Sequence, residues 1–296
     1  MPSDISSTVC VRTDHQWSAC RACLDSCPAK AITLSAQGVN VSADGCTDCG
    51  QCIVACPVGA ITGSPPQRRR NATQLWSDAS AGPTPKELLL FRADGVTEVA
   101  IFPDHALWRA ALDSANNLLR QMELRPLEAV TPPPPSLETV SIARRSFLRM
   151  SRDGDGGVRE GVKILSLVAA YPTHQFFDIA IDIHTCDRCG ACAAQCPEQC
   201  ISFSEDGIEI ESGRCTGCQL CRDGCTSRSI VVTAEVGARQ VKSLAFVRKQ
   251  CDVCKRDYDA FKNSKADEIL SRCPACRFRE TVGIPRPTIG QCGAVS

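Results

Sequence analysis

Apolar and polar positions alternate with a period of two in four short stretches of this chain, and the four form two matched pairs. Ala31-Ile32-Thr33-Leu34 precedes Gly38-Val39-Asn40-Val41, and Ile201-Ser202-Phe203-Ser204 precedes Gly207-Ile208-Glu209-Ile210. Each pair predicts a short β-hairpin. Val241, Leu244, Phe246 and Val247 predict one more strand near the C-terminal end. Between the pairs the pattern changes. Leu88 to Phe91 and Val99 to Phe102 read as strands, and Leu127 to Val130 as a third. Trp108, Leu112, Ala115, Leu119 and Met122 recur at helical spacing, with Asp104 as the expected cap and Pro126 ending the pattern. The stripe predicts the core face of a small α/β element. No glycine-rich phosphate loop of the usual spacing accompanies it, which argues against a nucleotide site.

Breaks in the pattern outline the organisation. Ser64-Pro65-Pro66, the proline run 132–135 and Asp153-Gly154-Asp155-Gly156-Gly157 read as connectors. Arg68-Arg69-Arg70 reads as a solvated linker. Arg144-Arg145-Ser146-Phe147-Leu148-Arg149 resembles a twin-arginine export signal. It begins only after 143 residues and leads into Arg152 rather than a long apolar stretch, so it reads as a basic linker. Neither run has interleaved aromatics for stacking bases. Lys+Arg and Asp+Glu both number 33, leaving no net field to attract nucleic acid or an anionic membrane. The most apolar window, Val162 to Tyr171, is broken by Lys163 and Ser166 and is too short for a transmembrane segment. Residues 1–10 lack a basic segment followed by an apolar one, so no secretory signal is expected.

Cysteine decides the class. There are 22 in 296 residues, and most fall in blocks. In a reducing, cytoplasmic setting such blocks read as metal ligands rather than bridges. Cys46-x2-Cys49-x2-Cys52-x3-Cys56-Pro57 is one block and Cys186-x2-Cys189-x2-Cys192-x3-Cys196-Pro197 another. Cys215-x2-Cys218-x2-Cys221-x3-Cys225 is a third, and Cys20-x2-Cys23-x3-Cys27-Pro28 is a fourth without its first member. A constant offset of 169 residues maps Cys189 onto Cys20, Cys196 onto Cys27, Cys215 onto Cys46 and Cys225 onto Cys56. The same unit therefore occurs twice. Three thiolates at x2 spacing suit three irons of one cubane, and the fourth cysteine serves the neighbouring cluster. Zinc sites use paired cysteines and have no need of a third at the next x2 step.

Each unit resembles a bacterial two-[4Fe–4S] ferredoxin, and the pair covers about a third of the chain. The order of parts also resembles the multi-cluster accessory ferredoxins of bacterial redox operons. Carrying over the ferredoxin ligand crossing implies four [4Fe–4S] clusters. Two are implied for the second unit, one on Cys186, Cys189, Cys192 and Cys225, the other on Cys215, Cys218, Cys221 and Cys196. In the first unit one takes Cys46, Cys49, Cys52 and Cys27. The last has Cys20, Cys23 and Cys56 and needs a fourth ligand. Trp17 stands where Cys186 stands in the second unit and cannot ligate iron. Cys10 is the candidate, with a three-iron or open-iron cluster as the alternative. Thr226 replaces the proline that usually follows the last cysteine, and Cys200 reads as a small buried thiol.

Two further pairs, Cys251-x2-Cys254 and Cys273-x2-Cys276, resemble a zinc ribbon, each supplying one edge of a tetrahedron around a single Zn. A single rubredoxin-like iron is the alternative. Cys292 reads as a free thiol.

The expected chain is α+β. A first 2[4Fe–4S] ferredoxin-like unit spans 1–63, a spacer with a small α/β element 64–175, a second ferredoxin-like unit 176–235 and a zinc-ribbon-like module 236–296. The resemblance implies a polyferredoxin that relays single electrons between a redox protein donor and acceptor. The alternative is a subunit or accessory factor of a larger oxidoreductase, such as a formate dehydrogenase-type complex. The four histidines, His15, His105, His174 and His184, are scattered, so no catalytic constellation is visible, and His184 reads as a residue beside a cluster.

Overall fold

The predicted hairpins form where the alternation places them. The structure is a computed structural model and describes residues 4–35, 38–78, 82–131, 158–160, 165–262 and 271–283. The proline run 132–135, the arginine run 144–149, the acidic-glycine break 153–157 and Cys292 lie outside the described residues. The chain divides into two compact units, residues 1–16 with 20–174, and residues 17–19 with 175–296.

In the first unit β1 (Asp4–Ile5) pairs antiparallel with β4 (Ile61–Thr62). Between them β2 (Ile32–Ser35) and β3 (Gly38–Val41) form the hairpin, with Ile32 opposite Val41 and Leu34 opposite Val39. Three short helices accompany it, α1 (Val11–Asp14), α2 (Ala22–Ser26) and α3 (Gln51–Ala55). Ile32, Cys52, Ile53 and Ile61 are the buried core, with Ile5, Leu24, Val39, Val41 and the cysteines 23, 27 and 56 packed on it. So small an apolar core does not stabilise a segment of this length by itself.

The α/β element joins this unit. Its strands are β5 (Arg68–Arg70), β6 (Gln74–Trp76), β7 (Glu98–Ala100), β8 (Glu128–Val130) and β9 (Val158–Glu160). The sheet order is β8-β7-β6-β5-β9, with β6, β7 and β8 parallel and β5 antiparallel to both its neighbours. Parallel neighbours need crossovers, and α4 (Pro85–Ala93) and α5 (Ala106–Gln121) supply them. A last short helix, α6 (Leu167–Ala170), precedes Tyr171, whose hydroxyl donates to the Leu89 carbonyl at 2.7 Å.

Three expectations are corrected here. Leu88 to Phe91 is helical, not a strand. A run of four apolar residues cannot distinguish the two by periodicity, and all four are buried because α4 is covered on every side. The deciding signal was local. Thr84 Oγ1 accepts from the Glu87 N–H at 3.1 Å and Pro85 occupies the first turn. Asp104 does not cap α5, which starts after His105 without a side-chain cap. The stripe Trp108, Leu112, Ala115, Leu119 and Met122 is buried as its spacing requires.

The third correction is the arginine run, which is strand β5 rather than a solvated linker. Strand alternation turns Arg68 and Arg70 inward and Arg69 outward. Arg68 Nε donates to Glu87 Oε1 at 2.7 Å, its Nη2 reaches Oε2 at 3.2 Å, and its guanidinium stacks 5.2 Å from the Trp108 ring. Burial pushes the Glu87 carboxyl up, against the opposing pull of Arg68. Glu87→Ala leaves Arg68 buried with Asp78 as its remaining carboxylate. We expect a loss of about 3–5 kcal/mol, the usual result of halving a buried pair. Urea unfolding followed through Trp76 and Trp108 measures it, and an unchanged midpoint rejects the assignment.

In the second unit β10 (His174–Ile181) pairs with β13 (Ile230–Ala238), enclosing the hairpin β11 (Ile201–Phe203) and β12 (Gly207–Glu211). The short helices α7 (Ala191–Ala194) and α8 (Leu220–Asp223) follow the cysteine loops. The predicted C-terminal strand is β14 (Val241–Gln250), and it does not stand apart. It pairs antiparallel with β12 on one side and with β15 (Asp257–Phe261) on the other, giving one sheet of order β11-β12-β14-β15. Gly207 allows this approach, since a Cβ there would lie 2.4 Å from the Leu244 carbonyl oxygen. The chain then reaches α9 (Pro274–Thr281). Among the described residues no helix is long and apolar enough to cross a membrane.

Candidate metal centres

The cysteines gather in five groups. In the first unit one cavity is lined by Cys27, Cys46, Cys49 and Cys52, with Ala31, Ile32 and Val41 beside them. A second is lined by Cys10, Cys20, Cys23 and Cys56 among Ile5, Val11, Val39 and Ile61. Cys10 sits at the start of α1, its N–H donating to the Ser6 carbonyl at 3.0 Å. Arg12, two residues on, reaches the Cys20 carbonyl at 3.5 Å. Burial pushes the Cys23 thiol up to about 12, and the neighbouring Cys20, Cys56 and Cys10 add to the shift. In the second unit burial, with Cys186, Cys189 and Cys225 close by, raises Cys192 to about 11. Burial and the proximity of Cys215, Cys218 and Cys196 raise Cys221 to about 12. Thiols packed this way resist ionisation unless a cationic metal core sits among them. The donor sets therefore suit iron–sulfur cores, bound as thiolates.

One turn recurs after all four block-ending cysteines. The residue three further on is left-handed in every case: Lys30 (φ 52°), Gly59 (65°), Gln199 (51°) and Arg228 (52°). That turn aims the next N–H back at the sulfur. Ala31 N reaches Cys27 Sγ at 3.3 Å, Ala60 N reaches Cys56 Sγ at 3.2 Å, Cys200 N reaches Cys196 Sγ at 3.3 Å and Ser229 N reaches Cys225 Sγ at 3.3 Å. Such donors orient a ligating thiolate and stabilise its negative charge. The x2 loops have a second signature. Positions two and four after the leading cysteine are left-handed at Asp48 and Gly50, at Arg188 and Gly190, and at Gly217 and Gln219. The loop headed by Trp17 lacks it, with Arg21 at φ −131°. It no longer wraps as its three counterparts do.

Two groups near the sulfurs were not assigned roles from the sequence. Cys200 is buried, as expected of a small thiol, but it also lies between Cys196 and Cys215. Its S–H donates to Cys196, the main cause of that thiol's fall to about 6, and it lowers Cys215 in the same way. Ser227 Oγ lies 3.6 Å from Cys225 Sγ and 2.7 Å from Ser229 Oγ. Against the opposing effect of burial, these hydroxyls and the Ser229 N–H lower the Cys225 thiol. Spacing alone carries no signal for either group. His184 meets Arg277 through its backbone carbonyl, which accepts from the guanidinium.

The fifth group is Cys251, Cys254, Cys273 and Cys276, whose four Sγ atoms lie within 4.8 Å of one another. Cys254 and Cys273 are 3.8 Å apart. A tetrahedron with metal–sulfur bonds of about 2.3 Å has edges of about 3.8 Å, so the Cys254–Cys273 pair already has the spacing of a zinc site and the other sulfurs lie within about 1 Å of it. Burial of Cys251 works against ionisation, but the N–H groups of Cys254, Cys273 and Val253 outweigh it and bring the thiol to about 6. Val253 and Tyr258 are its apolar neighbours.

Comparison with known proteins places 4Fe-4S domains over both cysteine-rich units, with Cys10 outside the matched residues. The family model described as 4Fe-4S dicluster domain matches residues 18–72, and the one described as 4Fe-4S binding domain matches 183–199 and 212–228. The chain is 35% identical over 74 residues to the ferredoxin-like protein in the nif region of Azotobacter vinelandii, covering 18% of this chain and 80% of that one. It is 50% identical over 48 residues to the ferredoxin-type protein NapF of Haemophilus influenzae, covering 14% and 27%. It is 33% identical over 82 residues to the putative oxidoreductase AegA of Escherichia coli, covering 27% and 12%. The chain thus spans about a quarter or less of the last two relatives.

Proposed function

Because the chain belongs to the bacterial multi-cluster ferredoxin-like proteins, we propose that it relays single electrons between a donor and an acceptor protein through four [4Fe–4S] clusters. The observation that carries this reading is the fourfold turn. Each cysteine set contains one sulfur fixed by the N–H four residues on; in the first unit each set of four lines one cavity, and in the second the four thiols of each set lie close enough to oppose one another's ionisation. When bound, the clusters supply one-electron redox chemistry. The chain's own residues hold them, limit water at the sulfurs and set their charge environment. We assign the four clusters to Cys10, Cys20, Cys23 and Cys56; to Cys27, Cys46, Cys49 and Cys52; to Cys186, Cys189, Cys192 and Cys225; and to Cys196, Cys215, Cys218 and Cys221. Cys189 is exposed, which suits electron exchange with a partner at that set.

The reading adds one zinc on Cys251, Cys254, Cys273 and Cys276 as a structural clamp, since four thiolates around zinc offer neither an open position nor a redox couple. It keeps 1–63 and 176–235 as the cluster-binding modules, with 64–175 and 236–296 as their respective attachments, in a reducing compartment such as the cytoplasm. Anaerobically purified protein is expected to contain about 16 iron, about 16 sulfide and about one zinc per chain. A potentiometric titration is expected to show reversible one-electron couples. Iron–sulfur centres that give no reversible couple would leave the clusters a structural role and sink the electron-transfer reading.

A further inference from the structure

The cysteine loop Cys186-Asp187-Arg188-Cys189 is gripped by the four-thiolate module on two sides. From α9, Arg277 directly follows the zinc-type ligand Cys276. Its guanidinium donates to the carbonyls of His184 and Cys186, the latter at 3.3 Å. From β14 and β15 come three aromatic rings. The Arg188 guanidinium lies 6.0 Å from the Phe246 centroid, 5.5 Å from Tyr258 and 5.9 Å from Phe261. Tyr258 also packs on the module's cysteines. Two cations thus converge on a loop that supplies two thiolates to one set.

The backbone shows that the Arg188 side chain has a local cost. Arg188 is left-handed, at φ 55°, and its N–H points at Cys186 Sγ at 3.4 Å. The sister loop of the same unit has Gly217 at this position, at φ 76°. A residue with a Cβ is strained in that conformation where glycine is not. The loop needs only the left-handed N–H, which glycine provides. The arginine adds a cation held in an aromatic cage, and the cage belongs to the four-thiolate module. In the first unit the position equivalent to Arg188 is Ala19, and no corresponding module follows that unit in the sequence.

We propose that Arg188 and Arg277 are positioning residues through which the four-thiolate module sets the reduction potential of the cluster held by Cys186, Cys189, Cys192 and Cys225. This rests on the cluster reading given above. A cluster gains one negative charge when it takes an electron. Guanidinium groups fixed beside its loop stabilise the reduced form and raise its potential above that of an otherwise similar cluster. Aromatic faces hold the Arg188 charge while shielding it from water, which strengthens its effect. Arg277 acts through the carbonyls of His184 and Cys186, and its place depends on α9 being anchored at Cys273 and Cys276. The module is then more than a clamp on its own segment. The state of its metal site is transmitted to one cluster of the four.

The test is an electron-paramagnetic-resonance potentiometric titration of the full chain, with iron, sulfide and zinc measured on each sample. Arg277→Gln is expected to make one couple harder to reduce. At fixed potential its reduced-to-oxidised ratio should fall about tenfold, or about 59 mV for a one-electron couple. The other couples and all metal contents should stay as in the parent. Arg188→Gln should move the same couple in the same direction. Arg272→Gln removes a charge beside Cys273 that pairs with Glu280, away from the cluster loop, and should move none. If Arg277→Gln loses metal, Arg277→Lys keeps the charge without the two-pronged reach, and a smaller downward shift of the same couple is expected. All couples unchanged in the Arg277 and Arg188 variants, with full metal content, would overturn the proposal, as would an equal shift in the Arg272 variant. Parent protein without iron–sulfur centres would instead overturn the cluster reading beneath it.

Discussion

Replacing Cys10 with alanine is expected to take iron from about 16 per chain to between about 12 and 15, while the couples of the other three clusters persist. The lower figure corresponds to loss of a whole cluster, the upper to a three-iron centre missing its unligated corner. Spacing made Cys10 only a candidate, because ten residues separate it from Cys20 and the repeat puts Trp17 in the ligand position. The structure places it in one cavity with Cys20, Cys23 and Cys56, close enough to oppose the ionisation of both Cys20 and Cys23. Short contacts hold it there. β1 pairs with β4 immediately after the Cys56 turn, and the chain reverses through Ser6 to start α1 at Cys10. Iron, sulfide and spectra unchanged in Cys10→Ala would remove Cys10 from the ligand set.

Removal of the proposed zinc is expected to have the second large effect. Cys273→Ser, or treatment with a strong chelator, is expected to lower zinc from about one to about zero per chain and to unfold the two cysteine segments, 251–256 and 271–283. Structural zinc supplies about 10–16 kcal/mol to small domains of this kind. Without it the cysteine segments have little else, since their core is the cysteines themselves with Val253 and Tyr258 beside them, whereas β15 is held by β14 and by the buried Phe261. Cys273 also opens α9, and its N–H donates to Cys251 Sγ at 3.3 Å, so its loss reaches both halves of the site. Limited proteolysis with mass spectrometry locates the newly exposed segment, and iron should remain near the parent value. The couple of the Cys186 loop should fall in potential, as in Arg277→Gln. A zinc-free protein that stays protected at 251–256 and 271–283 would show that apolar contacts suffice there. Iron in place of zinc in the parent would support the single-iron alternative.

Local chemistry was legible where the spacing itself is the chemistry. The x2 cysteine loops, the crossing of the fourth cysteine and the paired CxxC could be read because ligand geometry restricts sequence separation tightly. The hairpins were legible because Ile32, Leu34, Val39 and Val41 alternate cleanly. Leu88 to Phe91 misled because four consecutive apolar residues carry no period, although Thr84, Pro85 and Glu87 already marked a helix start. Arg68 and Arg70 misled for another reason. Arginine reads as solvated unless a buried carboxylate waits for it, and Glu87 lies 19 residues along the chain.

The sequence by itself determined the donor chemistry: fifteen thiols in ferredoxin spacing, four more in paired knuckles, and a repeat with one ligand replaced by Trp17. These follow from covalent spacing, which survives in any conformation. The tertiary structure alone decided that Cys10 reaches the incomplete set, that Cys200 bridges two sulfurs, that β14 joins the four-thiolate module to the second hairpin, and that Arg188 and Arg277 meet at one loop. Each of these depends on groups distant in the chain coming within a few ångströms, and no periodicity encodes that. Such contacts are selected by the burial and pairing of the whole unit rather than by any segment of it.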